Sequence, residues 1–147
     1  MRIRSPAFEP GQSIPKKHTG EGANSSPPLK WEEAPQGTRE FALICDDPDA
    51  PGDRPWIHWV LYGIPGDTRE LAEDNAGRAK EGKNNTGELG YTGPMPPPGH
   101  GVHHYHFKLY ALDSPVDLDR GASKSELLKT MEGHILGQSE LIGTYER

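Results

Sequence analysis
Apolar residues along this 147-residue chain recur mostly at alternate positions, in short runs closed by glycine and proline. That pattern predicts strands and turns rather than long helices. Trp56 to Ile64 (WIHWVLYGI) is the strongest run, with His58 interrupting it on the face shared by Trp56, Val60 and Tyr62. Glu40 to Asp46 (EFALICD) is apolar on both faces, which predicts a central strand in a sheet covered on both sides. From His103 onward the period is two: His103, Tyr105, Phe107 and Leu109 share one face, and His104, His106, Lys108 and Tyr110 the other. Leu29 to Trp31 adds a strand. Upstream of it, Ile3, Phe8 and Ile14 are separated by Pro6, Pro10, Pro15 and the turn-rich GEGANSSPP, which predicts one or two edge strands and a long loop.

Helical spacing is convincing once. Ser123-Lys-Ser-Glu126 reads as a capping box, followed by a stripe of Leu127, Leu128, Met131 and Ile135, with Gly137 as the stop and His134 a surface residue near the C-terminus. Gly66 to Ala76 is expected to form one or two helical turns, Gly77 to Glu88 a solvated surface loop, and Asp113 to Gly121 a turn. Glu140 to Tyr145 closes the chain as a strand or as a continuation of the helix.

Composition supports a loop-rich β domain. Hydrophobic residues make up 32% of the chain and mean hydropathy is -0.81, but the 18 glycines bring the apolar share to about 44%, near the usual range for a folded protein. The length fits one domain over residues 1–147 with a substantial core. A formal charge of -6 without a basic stripe argues against nucleic acid as a partner. The first residues carry no apolar h-region and no segment is long enough to span a bilayer, so cytoplasmic residence without membrane insertion is the expectation. The single cysteine, Cys45, suits a reducing compartment and is expected to be a buried apolar group rather than a nucleophile.

Chemistry-bearing residues gather at strand ends. DDPDAPGDRPW, from Asp46 to Trp56, is a constrained turn in which Ala50–Pro51 and Arg54–Pro55 are candidates for cis bonds. Gly90 to Gly101 (GYTGPMPPPGHG) is a glycine and proline loop, and it runs into four histidines, His100, His103, His104 and His106. The sequence thus sets Asp47, Asp49, His58, His103 and Tyr105 at strand ends, with Gly93 on the adjoining loop. If they converge, the aspartates favour protonated imidazoles, and with free backbone amides and a phenol the centre suits a phosphate or carboxylate group. Zinc is the competing reading, with His104 and His106 at i and i+2 joined by His100 or His58, but neither cysteine nor an H-E-x-x-H helix accompanies them. Hydrolase chemistry lacks a G-x-S-x-G elbow and a nucleophile near the histidines.

Three ordered motifs carry a resemblance: Asp47 to Pro51 (DPDAP), Trp56 to Trp59 (WIHW), and Gly90 to Pro94 (GYTGP) running on through Gly99 to Tyr105 (GHGVHHY). Together they resemble the phosphatidylethanolamine-binding protein family, which includes the Raf kinase inhibitor proteins, and in particular its compact bacterial and archaeal branch. The resemblance runs from Ser5-Pro6-Ala7-Phe8 to Gly143-Thr144-Tyr145. It implies an antiparallel two-sheet β-sandwich with one or two short helices and a small anion pocket. The family's pocket residues carry over onto Asp47, Asp49, His58, Gly93, Pro97, His103 and Tyr105, and the pattern places cis peptides in the aspartate turn. It implies no cofactor, no metal and no established enzymatic activity. Expected partners are a small anion such as phosphate or phosphoethanolamine, with a kinase or serine protease inhibited through the surface as the alternative, and an enzyme of unknown reaction using the Asp and His residues as another. The larger eukaryotic members carry a C-terminal helix over the pocket, so a chain ending at Arg147 is expected to have a more open one. A homodimer is expected if the aromatic-rich strands leave an apolar face uncovered.

Overall fold
The computed structural model describes residues Met1–Arg147. Eight strands follow in order: β1 (Arg2–Arg4), β2 (Leu29–Glu32), β3 (Glu40–Asp47), β4 (Trp56–Pro65), β5 (Glu70–Leu71), β6 (Lys80–Glu81), β7 (His103–Leu112) and β8 (Ile135–Tyr145), with one helix, α1 (Lys124–Met131), between the last two. They form two antiparallel sheets, a three-stranded one in the order β1-β2-β5 and a five-stranded one in the order β6-β4-β3-β7-β8. The fold is the expected two-sheet sandwich.

Strand parity explains the layers. Phe41, Leu43 and Cys45 of β3, Trp59 and Leu61 of β4, and Tyr105, Phe107 and Leu109 of β7 point toward the small sheet, where Ile3, Leu29, Trp31 and Leu71 meet them. The opposite parity sends Ala42, Ile44, Val60, Tyr62, Tyr110 and Leu112 to the outer face, which Leu127 and Met131 of α1 cover. β3 is therefore buried on both sides, as its unbroken apolar run requires. Phe41, Leu43, Leu61 and Phe107 are fully buried, each stabilising the fold by about 1.5–3 kcal/mol. Within one chain the small sheet and α1 thus cover the two apolar faces of β3 and β4, while β8 stays largely exposed. No helix is long and apolar enough to cross a membrane.

Several local expectations are corrected. Gly66 to Ala76 contains no helix: Glu70 and Leu71 pair with Lys30 and Leu29 instead, since burying Leu71 outweighs a helix too short to repay its nucleation. Lys80–Glu81 pairs with β4, and Asn84, buried, donates from Nδ2 to the Gly90 carbonyl at 2.9 Å, so Gly77 to Glu88 is more than a solvated loop. The capping box forms, Glu126 N–H donating to Ser123 Oγ and Ser123 N–H to Glu126 Oε1, both at 3.1 Å. The helix stops early, at Met131, with Gly133 (φ 80°) turning the chain just beyond it, and Ile135 leaves the stripe to open β8 with 42% of its surface exposed. The final segment is thus a strand. Lys16–His18 adds one 3-10 turn.

No peptide bond is cis, which corrects the expectation for Ala50–Pro51 and Arg54–Pro55. The aspartate turn reverses by other means: Asp49 N–H donates to Asp47 Oδ1 at 2.8 Å, and Gly52 takes φ 116°. A side-chain-capped turn and one glycine in the left-handed region suffice.

Candidate functional site
His58 does not lie where strict alternation puts it. Cys45 of β3 faces Trp59, whereas the next residue, Asp46, faces Ile57, so His58 is an extra residue on β4. This bulge bends the strand and re-aims one side chain. Val60 and Tyr62 keep the outer face, while His58 turns inward and meets the edge of Tyr105, ring centroids 5.1 Å apart at 79°. Trp56 packs beside it, with centroids 5.0 Å apart.

Parity does the rest. Asp47 extends the inner face of β3, and His103 and Tyr105 extend that of β7, so all three arrive at the same end of the sandwich as His58. They line a cavity of about 510 Å³ together with Gly93, Pro97 and Trp56. His103 Nδ1 donates to Asp47 Oδ2 at 2.6 Å, both residues being buried. His103 Nε2 lies 2.6 Å from Nδ1 of His100.

His58 Nδ1 donates to the Thr92 carbonyl at 2.7 Å, which leaves Nε2 without a partner in the chain and as an acceptor. Burial pushes the His58 pKa below its ordinary value, against the Thr92 carbonyl and the Asp47 charge, which pull it up. Burial, seconded by the Asp47 carboxylate, raises that of the Tyr105 phenol, so its hydroxyl stays protonated and able to donate. No lysine or arginine lines the cavity. Any positive charge there comes from imidazole.

Two of the sequence-derived residues serve in other ways. Asp49 is exposed and does not line the cavity; its Oδ2 accepts from His104 N–H at 2.8 Å and His104 Nδ1 at 2.7 Å, tying the aspartate turn to the start of β7. Burial pushes its pKa up, but the His104 hydrogen bonds and charge together hold it below the ordinary carboxylate value. Gly93 lines the cavity without a free amide, because its N–H donates to Asn24 Oδ1 at 2.7 Å. Its lack of a side chain is what matters: a Cβ would lie 2.3 Å from the His18 carbonyl oxygen and 2.8 Å from Thr19 Cα.

The far wall was not legible in the sequence. His18, completely buried, donates from Nδ1 to the Ser25 carbonyl at 2.8 Å, accepts from the Tyr91 hydroxyl at 2.7 Å through its own carbonyl, and holds the loop that brings Gly20 to the cavity. Gly20 N–H in turn donates to the Pro94 carbonyl at 2.8 Å. Asn24 acts from φ 59°, a conformation asparagine tolerates. Neither residue belongs to a hydrophobic period or a motif. The histidines of the zinc alternative diverge: His104 Nδ1 pairs with Asp49, and His106 Nδ1 lies 3.2 Å from Glu140 Oε2. No cluster of His, Cys, Asp or Glu is arranged to hold a metal ion.

Comparison with known proteins bears on this geometry. The model of the phosphatidylethanolamine-binding protein family matches residues 4–146. The chain belongs to that family. It is 48% identical to a UPF0098 protein of Methanothermobacter thermautotrophicus over 100% of this chain and 99% of that one. Among solved structures, a phosphatidylethanolamine-binding protein homologue from Chlamydia trachomatis superposes with a TM-score of 0.94 at 40% identity, covering 99% of this chain and 97% of the other. YbcL of Escherichia coli, described as a new member of the mammalian family, gives 0.92 at 32% identity, covering 99% and 98%. The phosphatidylethanolamine-binding protein sandwich therefore spans the chain, with the end that gathers Asp47, His58, His103 and Tyr105 inside the shared fold.

Proposed function
We propose that this phosphatidylethanolamine-binding protein family member binds a small anionic group, phosphoryl or carboxylate, in the cavity between β3, β4 and β7, and that occupancy rather than turnover is its output. The observation that carries the reading is the pairing of His58 Nε2 and the Tyr105 hydroxyl, two polar groups without protein partners on the wall of one cavity. An acceptor and a donor left open at one spot on a concave wall favour a ligand that supplies the complement of both. A phosphate monoester does: its P–OH donates to His58 Nε2, and its anionic oxygens accept from Tyr105 and from an imidazole N–H. Asp47 accepts from His103 Nδ1 and so holds that ring against the cavity wall.

A catalytic reading is less well supported. Burial pushes the Cys45 thiol well above its ordinary pKa, so it offers no thiolate. Among the hydroxyls beside the cavity, that of Thr86 is committed to Asn84 Oδ1. Inorganic phosphate titrated into the protein should shift the His58 and His103 imidazole resonances. Replacing His58 by alanine should weaken binding about tenfold to a hundredfold, the loss expected of one hydrogen bond to a charged group. Unshifted resonances at millimolar phosphate would refute the reading.

A further inference from the structure
The polar groups on the cavity wall are not equally available. An imidazole nitrogen has a single in-plane direction in which it donates or accepts one hydrogen bond. His103 Nδ1 spends its direction on Asp47 and His103 Nε2 spends its own on His100 Nδ1, each at 2.6 Å. Whichever nitrogen keeps the proton between the two rings, His103 has nothing left to offer a ligand. His58, by contrast, keeps Nε2 open.

His100 differs from the rest of the wall in how it is held. It is exposed, and it does not line the cavity itself. Gly99 and Gly101 flank it at φ 75° and 99°, and a Cβ on either would meet nothing within 4 Å. The contrast with Gly93, wedged against the His18 backbone, is direct. Apart from the bond to His103, the residue is tied by its own N–H to the Pro97 carbonyl at 3.1 Å, a backbone contact that leaves the side chain free, and its ring rests on the His103 ring with centroids 4.9 Å apart. One hydrogen bond and one ring contact keep the imidazole in place, while the backbone before it is tied by Gly99 N–H donating to the Arg147 carbonyl at 3.0 Å.

We propose that His100 is a built-in, displaceable occupant of Nε2 of His103, so that an anionic group reaches His103 only by pushing the His100 imidazole aside. This rests on the anion-pocket reading and adds its regulation. Exchange favours the anion, because an imidazole bonded to a charged oxygen makes a stronger hydrogen bond than one bonded to a second neutral ring. His100 then sets a threshold: it lowers affinity for weak acceptors such as water or neutral hydroxyls in the same proportion, and only a charged ligand overcomes it.

Two measurements on the wild-type chain and on His100→Ala test this, and the substitution lies on an exposed loop. The first uses no ligand. Diethyl pyrocarbonate acylates an unprotonated imidazole nitrogen that has no partner, and peptide mass mapping gives the rate at each histidine. Wild-type His58 should react faster than His103, and His100→Ala should raise the His103 rate severalfold while leaving His58 unchanged. An unchanged His103 rate would show that His100 does not mask it and would overturn the proposal. The second is a titration with inorganic phosphate, in which His100→Ala should bind about twofold to tenfold more tightly, the factor set by the net worth of one neutral hydrogen bond. Equal or weaker binding would overturn displacement. If His103 becomes reactive in the variant and phosphate binds neither protein, the anion-pocket reading falls while the masking of His103 stands.

Discussion
Single residues in and beside this pocket divide by the protonation state that their surroundings favour. His58 is held neutral by burial and Asp49 is held ionised by His104, and the two leave opposite marks on stability. For His58 the folded-state pKa lies below the ordinary 6.5, so the unfolded chain binds the proton more readily. Stability contributed by the neutral imidazole is complete above that ordinary value and declines as pH falls through it toward the lower folded value. For Asp49, stability is present above the ordinary 3.8 and is lost as pH falls through the lower folded value. The two windows therefore do not coincide. Urea midpoints taken between about pH 8 and pH 5 should fall in the wild type and flatten in His58→Gln, which does not titrate. Equal slopes would remove the buried neutral imidazole from the account. Individual residues were also where the sequence was most informative about chemistry. Asp47, His58, His103 and Tyr105 were named from their places at strand ends, and all four line one cavity. Asp49 was legible as a polar group near the site but not as an outward clamp, because alternation does not continue through the turn that follows β3.

At the scale of elements, what escaped the sequence was deviation from period. Two-residue alternation correctly split β7 into an inner and an outer face, and the unbroken apolar run of β3 correctly marked it as central and covered on both sides. It misassigned His58 because a bulge adds one residue to β4 and leaves no mark in an apolar run. Helix α1 was legible at its start, where the capping box is local chemistry, and not at its end, where β8 pairs along β7 and competes for Ile135. The short strands β5 and β6 exist only through their partners and carry no period of their own. Contact between distant loops is equally silent. The sequence places Gly93 on the adjoining loop among free backbone amides, whereas the structure commits its N–H to Asn24 and uses its missing side chain for close approach to the segment around His18. Gly93→Ala is therefore expected to force the loops apart, destabilising the protein by about 1–3 kcal/mol as overpacking does, and to weaken phosphate binding by moving the cavity wall. Chemical denaturation gives the first effect and titration the second. A variant with wild-type stability would mean the His18 loop yields freely and is no fixed wall.

Across the whole molecule, the adjacent residues Asp46 and Asp47 show how one strand serves two layers. Alternation sends Asp46 outward, where its Oδ2 accepts from Lys124 Nζ at 2.8 Å and Lys108 Nζ at 3.4 Å, linking the start of α1 to the large sheet. It sends Asp47 inward to His103. Both carboxylates are buried, to 1% and 2% exposure, so losing either leaves unpaired partners, but the partners belong to different layers. Asp46→Asn should destabilise the fold by about 1–3 kcal/mol, less than a fully buried pair because both lysines keep some solvent contact. Phosphate binding by the folded protein should be unchanged, since Asp46 does not line the cavity. Asp47→Asn replaces the carboxylate that accepts from His103 Nδ1 with an amide, a weaker acceptor that holds the ring less firmly against the cavity wall. It should weaken phosphate binding about tenfold or more, the order expected when a hydrogen bond to a charged group is lost, whatever its cost in stability. Measuring both quantities in both variants gives a crossed comparison that a general loosening of the sandwich cannot imitate. If Asp46→Asn weakens binding as much as Asp47→Asn does, the division of labour across β3 is wrong and the pocket depends on the helix layer.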